Sequence, residues 1–96
     1  MQPPADPERP TEVTLLSQAG NAAVVHLPGR AFPGVNLQGD SLSVLRTQLA
    51  GAAGTLRETP GDADALDELD DVVRELNALL AYYERVLAQH VMRRPY

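Results

Sequence analysis

The fold predicted by this sequence is an α+β domain, a three-stranded antiparallel β-meander packed against two helices of which the second is long. Three observations predict it. Apolar residues alternate at period two in short runs between residues 12 and 38, with Gly, Pro and Asn between the runs. From residue 41 the apolar spacing changes to three and four, the period of a helix with one buried face. Thr59-Pro60-Gly61 then splits that helical pattern in two.

The chain of 96 residues has room for one domain and one modest core. Residues 1–11 carry Pro3, Pro4, Pro7 and Pro10 among polar neighbours, a composition that predicts a disordered or extended tail ahead of a single domain at 12–96. The first strand is expected at about 12–18, with Val13, Leu15 and Ser17 on one face and Thr14, Leu16 and Gln18 on the other. Ala19-Gly20-Asn21 supplies hairpin chemistry, and Val24 and Val25 give β-branched content to both faces of a return strand at about 22–27. Pro28 to Gly34 reads as a rigid loop with two Pro-Gly turns, so Gly29 and Gly34 are assigned turn duties. A brief third strand follows at about 35–38, and the short connections favour a meander.

Gly39 is then the turn that passes the chain to a helix at about 41–57, with Asp40 as its cap. Leu42, Leu45, Leu49, Ala52 or Ala53, and Leu56 form its apolar face, while Gly51 and Gly54 weaken its second half and mark close packing or an early end. Asp62 or Asp64 caps the second helix, expected at about 63–91. Its residues Leu66, Leu69, Val73, Leu76, Leu80, Tyr83 and Leu87 alternate steps of three and four, and Val72, Leu79 and Val86 widen the stripe. That seam implies a homodimer through the second helix.

Composition narrows the function classes. There is no cysteine, which removes disulfides, thiol catalysis and Cys-based zinc sites and points to a reducing, cytoplasmic setting. No apolar run approaches the ~20 residues of a spanning helix, so no membrane association is expected. The net charge is -5, and the basic residues (all arginine) are scattered along the chain, which disfavours nucleic acid and suits a basic protein partner such as a toxin or nuclease. His26 and His90 make a weak metal case, the acidic run lacks the order of a calcium loop, and Gly29, Gly34 and Gly39 form no phosphate-binding fingerprint. No metal and no cofactor are assigned.

Gly39-Asp40-Ser41-Leu42 spells the nucleophile block of the Gly-Asp-Ser-Leu esterases. An acyl-transfer serine needs a base held by an orienting acid. In those esterases an aspartate stands three residues before the catalytic histidine, whereas here those positions are Ala23 and Leu87. The chain is also about half the length such a fold needs. Ser41 is read as part of a helix start, and no catalytic residue is assigned.

Two surfaces stand out for recognition. Arg30 lies two residues from Phe32 in the rigid loop, an arginine–aromatic pair suited to anchoring a partner. Asp67, Glu68 and Asp71 belong to an acidic helix start that matches the helix dipole and would also dock a basic partner.

Phe32-Pro33-Gly34, followed by Gln38-Gly39-Asp40, a hydroxyl residue and a leucine opening a helix, resembles the HicB-like antitoxin domain, in which a Pro-Gly precedes Gln-Gly-Asp-Thr-Leu at this offset. The likeness covers about a third of the chain. It implies a meander-plus-helix fold that oligomerises and inhibits a small RNA-cleaving toxin by covering its site. A fourth strand and a C-terminal DNA-binding module, both frequent in that family, have no counterpart here. Leu27-Pro28-Gly29-Arg30, Phe32-Pro33-Gly34, Gln38-Gly39-Asp40-Ser41 and the Tyr83, Val86-Leu87, His90, Pro95-Tyr96 ending also resemble a family of small uncharacterised bacterial proteins. The expected function is a non-catalytic protein-binding or regulatory module, antitoxin- or immunity-like. A small-ligand-binding regulator, with a pocket between the Pro-Gly loop and the Gln38-Gly39-Asp40 turn, and a structural subunit of a homo-oligomer are the alternatives.

Overall fold

The computed structural model describes residues 12–96, and the tail expected at 1–11 lies outside the described residues. The architecture is α+β: β1 (Thr14–Ala19), β2 (Ala22–His26) and β3 (Gly34–Leu37) form one sheet, followed by α1 (Gly39–Glu58) and α2 (Ala63–Gln89). The strands are antiparallel in the order β1-β2-β3, so β2 is central and both neighbours are edges.

Gly20 and Asn21 close the first hairpin between the paired residues Ala19 and Ala22, and Gly20 takes φ +56, a conformation open to glycine at little cost. A bulge between Leu15 and Ser17 in β1 shifts the register, so Ser17 rather than Leu16 lies opposite Val24. The face carrying Val24 packs against the second half of α2. Val24, Tyr83, Val86 and Leu87 form the buried cluster there, with Leu16, Tyr82 and Met92 packed around it. Two phenols fasten the same contact: the Tyr82 hydroxyl donates to Ser17 Oγ at 2.8 Å, and the buried Tyr83 hydroxyl donates to the Pro33 carbonyl at 2.6 Å. The first half of α2 packs instead on α1, burying Leu45 and Ala52 against Ala65 and Val72. The long helix is therefore a spine with the sheet at one end and α1 at the other.

Several local expectations are corrected. Asp40 does not cap α1. The cap is Gln38, whose extended backbone (φ -62, ψ 143) offers its carbonyl to the Leu42 amide at 3.0 Å with no side-chain cap bond. Asp40 lies in the first turn, where its Oδ1 accepts from the Ser41 amide at 2.8 Å and its charge suits the dipole. Gly39 is the first helical residue and Gly34 the first residue of β3, and neither has positive φ, so neither performs the turn role expected of it. Gly29 does, at φ +77. Gly51 and Gly54 neither end α1 nor mark close packing: the helix runs on to Glu58, and a β-carbon at either site would meet nothing within 4 Å.

The helix-two cap is Asp62, which accepts from the Ala65 amide at 2.9 Å after Gly61 turns the chain at φ +86. The helix stops at Gln89, two residues short of the expected end. His90 is the cap residue, the Val91 amide donates to Ala88 and the Met92 amide to Leu87, which is the Schellman pattern. Beyond it, Glu84 gathers the C-terminus: Arg94 Nη1 lies 3.2 Å from its Oε1, the Tyr96 hydroxyl donates to Oε2 at 2.7 Å, and Arg94 stacks over the Tyr96 ring at 5.6 Å.

Candidate functional site

The sheet has one face on α2 and one face that neither helix covers. Pairing of Leu15 with Val25 places those two side chains on the uncovered face, and continuing the ladder adds Val13 opposite Leu27. Leu15 is 57% exposed and Leu27 45%, with Val13 similar, so an apolar patch faces outward across β1 and β2. The loop after β2 borders it. The Arg30 amide donates to the Leu27 carbonyl at 3.3 Å, and His26 Nε2 donates to the Arg30 carbonyl at 2.7 Å, which fixes the proton on Nε2 and folds the turn back on its strand. Those bonds leave the Arg30 side chain exposed and set its turn beside Thr14 and His26, whose pairing places them on the face opposite the patch.

The expected Arg30–Phe32 anchor is changed by this geometry. Phe32 is half-buried and the following Pro33 is buried, with its carbonyl occupied by Tyr83. Burial pushes the Tyr83 phenol up from its ordinary value, which keeps it a neutral donor to that carbonyl. The exposed apolar neighbour of Arg30 is Leu27. Polar residues Glu12, Thr14 and His26 join Leu27 to Arg30 around a hollow of about 350 Å³, which contains no residue of the Gln38–Asp40 turn.

Asp67 and Asp71 are exposed on the first half of α2, and Glu68 is half-buried. They are not brought to the loop: Asp71 is twelve residues from Tyr83, about 18 Å along a helix. Asp71 pairs with Arg74, while Glu68 joins Asp62, Asp64, Thr47, Gln48 and Thr55 around a groove between the helices near their connecting turn. Gln48 Oε1 is buried there without a hydrogen-bond partner.

Ser41 accepts a hydrogen bond from Asn21 Nδ2 at 3.2 Å, and the Gln38 amide donates to the Asn21 carbonyl at 3.3 Å. The serine thus ties the first hairpin to the start of α1. Among the described residues no group of three or more metal-ligating side chains assembles, and no helix is long and apolar enough to cross a membrane.

The second helix carries the largest departure from the sequence pattern. Of its seam, Tyr83 and Leu87 are buried, but Leu66, Val73, Leu76 and Leu80 are each more than two-fifths exposed. On α1, Leu42 and Leu49 are exposed next to them, and a groove of about 440 Å³ runs between Leu42, Leu45, Leu49 and Ala53 on one side and Val72 and Leu76 on the other.

Residues 8–96 match a family of unknown function, DUF6959. The chain belongs to that family. The match takes in both the sheet with its outward patch and the two helices, so both surfaces fall within the shared domain. No curated protein matches, and no solved structure does.

Proposed function

We propose that this chain is a non-catalytic protein-binding module that regulates or neutralises a partner by covering part of it. The observation that carries the reading is the outward apolar face of the sheet, Val13, Leu15, Val25 and Leu27, which ends at the turn carrying the exposed Arg30. An exposed apolar patch of this kind is the usual centre of a protein contact, and an arginine on the adjoining turn suits its edge. The partner class is a basic protein, such as a small toxin or nuclease, because the chain is acidic overall and the motif from Phe32 to Leu42 resembles that of HicB-like antitoxins. Ser41 engaged by Asn21 supports a structural rather than catalytic serine.

Affinity recovery from the source cell tests this with three baits: the native chain, Leu15→Asp with Leu27→Asp, and Arg30→Glu. One protein retained stoichiometrically by the native chain, and lost with the double variant while its circular dichroism stays native, is the expected result. Retention by the folded double variant would remove the sheet face from the function. Recovery of no stoichiometric protein, together with a thermal midpoint raised by a metabolite, would favour the small-ligand regulator instead.

A further inference from the structure

We infer that the open helical face is the contact with a second copy of this chain, packed antiparallel about a two-fold axis at Val73. This inference uses the helices and is independent of what the sheet face binds.

The face is built to match itself. An isologous contact requires one patch that meets its own copy after a half-turn. Around Val73 the stripe has that property: Leu66 and Leu80 stand seven residues on either side, and Leu69 and Leu76 stand four and three. In an antiparallel pair, Val73 therefore meets the partner's Val73, Leu66 meets the partner's Leu80, and Leu69 meets the partner's Leu76. The neighbouring α1 adds Leu42 and Leu49 to the same open side. Two such hairpins laid together close into a four-helix bundle, which covers leucines that one copy leaves in water.

Charge selects the direction. Six carboxylates (Asp62, Asp64, Asp67, Glu68, Asp70 and Asp71) crowd the first ten residues from the cap, whereas Leu76 to Tyr83 contains no charged residue. A parallel pair would set the acidic ends side by side. The antiparallel pair lays Asp64, Asp67, Glu68 and Asp70 over the partner's uncharged stretch, and only Asp62 and Asp71 come opposite a partner's carboxylate, Glu84 and Glu75. Arg74, adjacent to the axis and paired with Asp71 of its own chain, then lies near the partner's Asp70. Asp70 and Arg74 lie on the same flank of the stripe, four residues apart.

The native chain contains no cysteine, so single cysteines report the geometry without background. Expected is a dimer by light scattering over a wide concentration range. In mild oxidant, a mixture of Leu66→Cys and Leu80→Cys chains should give the mixed disulfide, while Leu66→Cys alone gives little. In the antiparallel arrangement its two copies would be about 21 Å apart, beyond the ~7 Å that a disulfide spans. Efficient self-linking of Leu66→Cys would overturn the antiparallel arrangement, and a native chain that stays monomeric throughout would overturn the dimer. Leu76→Asp with Leu80→Asp should give a folded monomer, and a folded dimer of that variant would remove the stripe from the contact. If the variant fails to fold, the cysteine pairs decide. Loss of this dimer leaves partner capture by the sheet face as a separate result.

Discussion

Val91 is the residue whose backbone the sequence least anticipates. It sits at φ +55 and is 94% exposed, a β-branched side chain in a conformation that favours glycine, at the position after the helix cap where glycine is the common choice. Its amide and that of Met92 close the last turn of α2, and Met92 packs on the buried cluster beside Leu87, so the chain reversal is held by contacts on either side of a strained residue. Val91→Gly should therefore raise stability by about 1 kcal/mol, which for a domain of this size raises the thermal midpoint by about 4–8 °C. A lowered midpoint would mean that the strain is not there to relieve. The expected helix end at 91 reflects the same residue: valine carries no stop signal, and only the return of Met92 to the core stops the helix. Asp40 shows the opposite error. An aspartate before a helix reads as a cap, but here the extended backbone of Gln38 starts the helix two residues sooner and leaves the carboxylate inside the first turn.

Element types were legible because period two and period three-to-four are direct consequences of strand and helix geometry, and all five elements stand where those periods change. The division of an apolar helix face between core and open surface was not legible. Val72 and Val73 look alike in sequence, yet α1 buries the first and leaves the second in solvent, a matter of how two helices cross. The outward patch was missed for a related reason. Its residues alternate with inward-facing ones in ordinary strand fashion, and only the placement of α2 on the opposite face leaves Leu15 and Leu27 uncovered. Gly51 and Gly54 of α1 have the sequence character of packing or stop signals, but their surroundings are open. With space for a methyl group and helical backbone at both sites, Gly51→Ala and Gly54→Ala should each add about 0.5–1 kcal/mol, read as a shift in the denaturant midpoint with an unchanged slope. A loss of stability at Gly54 would show that this half-buried position does pack closely after all.

The described residues are drawn out along α2, whose 27 residues span about 40 Å and carry the sheet near one end and α1 near the other. The buried cluster under the sheet is Val24, Tyr83, Val86 and Leu87, while Leu45, Ala52, Ala65 and Val72 belong to the helical hairpin. Direct ties between the sheet region and α1 are few, chiefly Asn21 to Gln38 and Ser41. Leu87→Ala empties a fully buried site beneath Val24 and should cost about 2–5 kcal/mol. Because the hairpin keeps its own contacts, that loss should not be shared evenly. Hydrogen exchange should show the amides of Val24 and Val25 losing protection well before those between Leu69 and Leu76. Equal loss across both regions would show that the spine joins them into one cooperative unit. The unequal outcome is what separate surfaces require: a helical face able to hold a second copy while the sheet, anchored by one small cluster, adjusts to what it covers.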